Sequence, residues 1–208
     1  MFSKTLWVGF ALALVLALFG SSPAISEQAR HPAIPVVEDL HVSMLETMKN
    51  ADELGYSGRY DKSADALTVS FDLAFMAQKA VGRNWKKFTP HEQEHWRSSF
   101  ENVTAANYAG RFAGYTGQRF ETLGTEPSSH DTIIVRTRLL NPDGDDVDLN
   151  YRLRETAEGW RIIDVYLNGT VSELALRRSE YSSLIRRDGF QSLVNSVDKR
   201  VAELSAVN

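Results

Sequence analysis

The chain has 208 residues, of which 43% are hydrophobic, 10% aromatic and 24% charged, enough for one domain with its own core and too mixed for a disordered or multi-span membrane chain. Its 23 basic and 27 acidic residues give a net charge of −4, which excludes the broad basic field that nucleic-acid binding requires. Cysteine is absent, which rules out disulfides, thiolate metal sites, a cysteine nucleophile and a lipid-modified cysteine.

Lys4 is the only charge before Glu27, and Leu6 to Phe19 is apolar throughout apart from Gly9. A positive head, a short apolar run and the small residues Ser21, Ser22, Ala24 and Ser26 predict a secretory signal over residues 1–26. The run is marginal for a spanning helix, which needs about 20 apolar residues, so an N-terminal anchor in the inner membrane is the alternative. Removing residues 1–26 takes away one lysine and no acid, moving the net charge from −4 to −5. Export without cysteine points to the bacterial periplasm. Residues 27–208 are expected to form a single α+β domain.

Val37, Leu40, Met44, Leu45 and Met48 recur at helical spacing, and the stretch from Gly55 to Arg59 is expected to end that helix. A short helical piece follows from Tyr60 to Leu67. Asp72 caps a helix presenting Phe75, Met76, Ala80 and Val81, which Gly82 stops. Thr89, Pro90 and Glu92 form a capping box for a long helix through Trp96, Phe100, Val103, Tyr108 and Phe112 towards Tyr115.

The period then changes to two. Residues 132–140, 147–153 and 160–167 alternate, separated by turns at Asn141–Gly144 and Glu158–Gly159, and a weaker strand precedes them near Arg119 to Thr122. These predict a four-stranded antiparallel meander with one apolar face. Thr170 and Glu173 suggest a second capping box, followed by a helix and, after Gly189, a last helix through Leu193, Val197 and Val201. Helices, meander, then helices reads as α+β with helices packed on one face of a curved sheet.

The chemical inventory is short. His91, Glu92 and His95 satisfy H-E-x-x-H, but the motif occupies the first turn of its helix, where Glu92 is already committed to the cap. Asp143, Asp145, Asp146 and Asp148 can attract calcium or simply shape a hairpin turn; they lack the EF-hand glycine and terminal glutamate. Asp164 stands in an apolar strand, where simple alternation groups it with Trp160, Ile162 and Tyr166; it is either an ion-paired residue or a general base with Tyr151 or Tyr166. His31, His41 and His130 are isolated. No phosphate loop, nucleophile elbow or metal set stands out. The aromatic and methionine residues of the helices facing an aliphatic sheet form either a filled core or the wall of an adaptable apolar cavity.

The residues from Phe71 to Ala77, Val81 to Trp85 and Thr89-Pro90, then Val135 to Arg138, Leu149 to Arg154, Gly159 to Val165, Gly169 to Ser172 and Ile185 to Phe190, resemble in order the MlaC family of periplasmic phospholipid-binding, or toluene-tolerance, proteins. The likeness runs from about Val37 to Val201. Met48 to Ala51, Leu54 to Tyr60, Ala113 to Gly117 and Ser172 to Tyr181 look more like the hopanoid-associated branch, HpnM. The resemblance implies an NTF2-like or MlaC-like fold with an apolar cavity between sheet and helices. It implies no enzyme and no cofactor, but a lipid cargo, phospholipid or hopanoid, exchanged between an inner-membrane ABC transporter complex and an outer-membrane partner through transient membrane contact. The alternatives are a cavity enzyme of the isomerase or dehydratase type and a non-carrier adaptor of a lipid transporter. Phe75, Met76, Trp85, Tyr108, Phe112, Tyr151, Val165, Leu167 and Val171 are the expected lining; Arg177, Arg178, Arg186 and Arg187 are expected to meet a head group or a partner.

The physical need for such a carrier can be sized. At roughly 0.8 kcal/mol per CH₂, moving a C16 chain into water costs on the order of 12 kcal/mol, a factor of roughly 10⁹ in partitioning.

Overall fold

The computed structural model describes residues 30–207; the expected signal segment, residues 1–26, lies outside the described residues. Four helices come first: α1 (Ala33–Lys49), α2 (Ala51–Ser70), α3 (Leu73–Val81) and α4 (Pro90–Arg111), with a 3₁₀ segment, Gly82–Lys87, between the last two. The strands β1 (Arg119–Ser128), β2 (Thr132–Leu140), β3 (Val147–Thr156), β4 (Gly159–Leu167) and β5 (Val171–Ser172) follow, and α5 (Glu173–Val207) closes the chain. The sheet is antiparallel in the order β1-β2-β3-β4-β5, one short strand more than the four-stranded meander that alternation predicts. No helix among the described residues is long and apolar enough to cross a membrane.

Local chemistry accounts for most boundaries. Thr89 accepts the Glu92 N–H while the Glu92 carboxylate accepts the Thr89 N–H, the reciprocal cap expected for α4. Asp72 accepts the Phe75 N–H at the head of α3. The first helix ends at Lys49, before the stop expected at Gly55; Gly55, at φ 57°, instead breaks the path within α2, which then resumes. The buried Arg59 side chain holds this corner by donating to the carbonyls of Ala51 and Ala109. Gly189 makes a comparable break within α5.

The helices cover one face of the sheet. Val135, Tyr151, Leu153 and Ile162 on the sheet meet Val37, Leu40, Leu67, Trp96 and Leu193 from the helices in one apolar cluster. Trp96 is fully buried; its indole N–H donates to the Ala77 carbonyl at 2.8 Å, and its ring meets Tyr181 edge-on, joining α3, α4 and α5.

Strand β4 departs from simple alternation. Leu153 pairs with Ile162 but Arg152 pairs with Asp164, so Ile163 is an extra residue, a β-bulge. Beyond it every side chain changes face: Val165 and Leu167 join the helix-facing side, opposite Tyr151 and Leu149, while Asp164 and Tyr166 turn outward with Arg152 and Asn150. The grouping of Asp164 with Trp160 and Ile162 is therefore corrected, and so is its expected ion pair. Arg152 lies across from Asp164 but donates to Thr132 and Ser129 instead.

Asp164 instead clamps the start of α5. Its carboxylate accepts from the Ser172 hydroxyl at 2.6 Å, the Leu174 N–H at 3.1 Å and the Val165 N–H at 2.9 Å. Ser172 in turn accepts the Ala175 N–H, so the cap lies two residues beyond Thr170, where the sequence pattern puts it. Burial pushes the Asp164 carboxyl above its ordinary value, opposed by these three hydrogen bonds. Asp164→Ala is expected to lower stability by about 2–3 kcal/mol, and Ser172→Ala by about 1 kcal/mol, in urea unfolding. A loss under 0.5 kcal/mol for Asp164→Ala would show that the clamp contributes little.

Candidate functional site

Six residues of α4 at helical spacing, Phe100, Val103, Thr104, Asn107, Tyr108 and Arg111, together with Phe112 at its C-cap, line a cavity between the helices and the sheet. Its opposite wall is Leu149 and Tyr151 of β3 with Val165 of β4; Met44, Phe71 and Met76 close one side, and Glu173, Leu174, Arg177 and Tyr181 of α5 the other. The cavity volume is about 100 Å³. That is below the ~300 Å³ at which pockets for drug-sized ligands begin, so this is a small slit between helices and sheet. Met44 and Met76 are the side chains best suited to adapt if it widens.

The lining is graded in polarity. Phe71, Phe100 and Val103 are buried, whereas Arg111 is exposed and forms an ion pair with Glu173 at 3.8 Å that joins the end of α4 to the start of α5. Arg177 lies one turn further along α5, 3.7 Å from Glu180. Thr104 and Asn107 back-bond to the Phe100 and Val103 carbonyls of their own helix, which removes part of their polarity from the lumen. Burial raises the Tyr108 hydroxyl well above the ordinary tyrosine range, keeping it neutral.

Tyr151 connects the cavity to a buried polar pair. Its hydroxyl lies 3.1 Å from His41 Nε2 on α1, and the His41 ring stacks on Phe120 of β1 with centroids 3.8 Å apart. Desolvation lowers His41 from 6.5 to about 3, so the imidazole is neutral at ordinary pH.

Of the nine lining residues expected from sequence, Met76, Tyr108, Phe112, Tyr151 and Val165 meet at this cavity. The other four lie elsewhere. Phe75 is one step around α3 from Met76 and faces the outer side, beneath the Arg154 guanidinium at 4.2 Å. Trp85 belongs to the 3₁₀ segment, whose tighter winding carries it to Phe88 and Arg97. Leu167 pairs with Leu149 and Val171 at the end of β4, beyond the lining, and Val171 is exposed on the edge strand β5.

Of the four arginines, Arg177 is at the cavity, Arg178 and Arg186 line a separate groove across α5, and Arg187 pairs with Asp188 at the surface. The additional residues Thr104, Asn107, Arg111 and Glu173 carried a readable signal, because the first three interrupt an apolar stripe on α4 at its own spacing. Asp164 does not face the cavity. Glu92 is held in its helix cap, Asp146 accepts the Asn141 N–H, and Asp148 bonds Arg138 at 2.7 Å. No cluster of three or more metal-ligating side chains occurs among the described residues.

Comparison with known proteins follows from this geometry. The model of the MlaC family, described as MlaC protein, matches residues 38–199. The chain belongs to the MlaC family. The matched segment begins in α1 and ends in α5, so it takes in every element that lines the cavity. Among solved structures, the phospholipid-binding protein from Ralstonia solanacearum, in complex with a phospholipid, is similar with a TM-score of 0.73 and 24% identity, over 83% of this chain and 98% of that one. That likeness establishes an MlaC-like α+β fold. No curated protein sequence matches the chain.

The His41–Tyr151 pair predicts how stability depends on pH. The folded-state pKa of His41 lies below its unfolded value, so its contribution is intact above about pH 6.5 and declines as pH falls towards 3. The slope attributable to His41 approaches about 1.4 kcal/mol per pH unit between those limits. Urea unfolding at pH 7, 5 and 4 should show a smaller acid-induced loss in His41→Asn than in the parent; parallel losses would place the acid sensitivity elsewhere.

Proposed function

We propose that this MlaC-family chain is a periplasmic lipid carrier that binds the apolar part of a phospholipid or a hopanoid without covalent chemistry. The observation that carries the reading is the cavity itself. It is an apolar slit between sheet and helices, graded towards charged groups where α4 ends and α5 begins, in an MlaC-family chain whose fold neighbour is a phospholipid-binding protein.

In this reading acyl chain or ring system lies against Phe71, Met76, Phe100, Val103, Tyr151 and Val165, and a head group lies near Arg111 and Arg177. An anionic head group competes with Glu173 for Arg111, which loosens the contact between α4 and α5 as cargo enters. Widening comes from these helices and the two methionines, since a slit of about 100 Å³ accommodates only part of a lipid chain. Exchange between an inner-membrane transporter complex and an outer-membrane partner then needs no passage of the chain through water. Of the two tyrosines named with Asp164 in the enzyme alternative, Tyr151 is on the opposite face and Tyr166 on the same one; the alternative is disfavoured because the Asp164 oxygens are engaged by Ser172, Leu174 and Val165.

The exported protein, purified natively and extracted with organic solvent, is expected to release a stoichiometric lipid detectable by mass spectrometry. It is also expected to take up lipid from vesicles. Val103→Trp, which fills the slit, should lower bound lipid at least fivefold, whereas Val42→Trp, at a site 55% exposed, should not. Absence of lipid together with absence of uptake would overturn the carrier reading.

A further inference from the structure

Across α5 from the cavity lies a second concavity, an open groove of about 1050 Å³. Its walls come from α3, from the first half of α5 and from the outward-facing residues of β3 and β4. Five lining side chains are cationic: Lys79, Arg152, Arg154, Arg178 and Arg186. The single carboxylate in the lining is Asp164, and both its oxygens are occupied in capping α5. This concentration of positive charge stands in a chain whose net charge is −4.

Two of the five cations have an acidic neighbour: Arg154 has Asp72, and Arg152 lies across the sheet from Asp164, whose carboxyl pKa it helps to lower. Among the described residues only Arg154 of the five forms an ion pair, with Asp72. Arg152 is fixed by Thr132 Oγ1 at 2.8 Å and by the Ser129 carbonyl at 2.8 Å, both uncharged acceptors. Arg178 lies across the end of α3, where a Cβ on Gly82 would come within 2.8 Å of its Nε. The groove also has apolar footing, with Phe75 between Lys79 and Arg154 and with Ile163 and Leu174 nearby. Positive groups gathered in a concavity repel one another and create a local field that an external anion relieves.

We propose that this groove is a docking site for an acidic, partly apolar segment of a partner protein. Charge complementarity selects acid, and the mixture of cationic walls with the half-buried side chains of Phe75 and Leu174 selects a polypeptide carrying both acidic and apolar side chains. Arg152 and Arg154 are half-buried, whereas Lys79, Arg178 and Arg186 are exposed, so an extended segment that enters the groove meets more of the cations than a flat anionic surface does. The site is independent of the cavity's occupant, although Leu174 contributes to both walls of α5.

The test uses the purified chain and a fluorescein-labelled peptide of six Glu-Leu repeats, with six Lys-Leu repeats as the charge control. The acidic peptide is expected to bind, and its Kd to rise at least tenfold between 50 and 300 mM salt, because rim charges are screened within a Debye length of about 8–10 Å. The triple variant Lys79→Glu, Arg178→Glu, Arg186→Glu changes three exposed residues and is expected to weaken peptide binding at least tenfold at unchanged lipid content. Arg187→Glu, outside the groove, is expected to bind as the parent does. Binding of the peptide with equal affinity to parent and triple variant, or no binding to the parent, overturns the proposal. So does a triple variant that loses attachment to phosphatidylglycerol vesicles while peptide binding is retained, which would make the groove a membrane contact. Lipid content is read separately, so failure of the carrier reading is distinguishable from failure of this one.

Discussion

One extra residue in β4 governs the arrangement of both concavities. The bulge at Ile163 reverses the facing of the strand beyond it, so Val165 reaches the cavity and Asp164 reaches the start of α5. Without it, a carboxylate would be placed against Tyr151 in an apolar slit, where its charge has few partners and a large desolvation cost. The same residue that would damage the cavity instead secures the helix that forms one of its walls. A bulge thus converts an unfavourable pattern into a clamp between sheet and helix.

The cavity is constructed from a polarity gradient and not from a set of reactive groups. Its apolar lining comes from Met44 and Met76 and from rings and aliphatic chains on α4 and β3, while Arg111, Glu173 and Arg177 mark the end where α4 meets α5. An apolar ligand in such a slit gains burial along its length, with charged groups available at one end. Tyr108, Phe112 and Tyr181 supply the aromatic rings of that lining from the helical side. That cavity lies within the segment that matches the MlaC family.

Helix α5 separates two environments of opposite character. Tyr181 and Leu174 face the apolar cavity, while Arg178 and Arg186, from the other side of the same helix, face the basic groove. Successive residues of a helix are about 100° apart, so adjacent arginines, Arg177 and Arg178, contribute to different sites. The folding of this helix against β4 through Asp164 therefore positions both.

Much of the architecture was legible in the linear chain. The capping box at Thr89, the aspartate cap at Asp72, the change from helical to alternating period, and the ordered motifs of the MlaC likeness specify the elements and the fold class, because these features depend on neighbouring residues. Gly55 and Gly189 announce breaks, but whether a helix stops or merely kinks there is determined by packing on either side; at Gly55 the buried Arg59 joins the two arms. The strand β5 is only two residues long and exists because β4 offers it an edge. Placement of Phe75, Trp85, Asp164 and Arg178 was settled by tertiary structure alone. A one-residue bulge, a 3₁₀ winding and a helix rotation each change which way a side chain points without leaving a distinct mark in composition or spacing, and the cavity and the groove are both products of those directions.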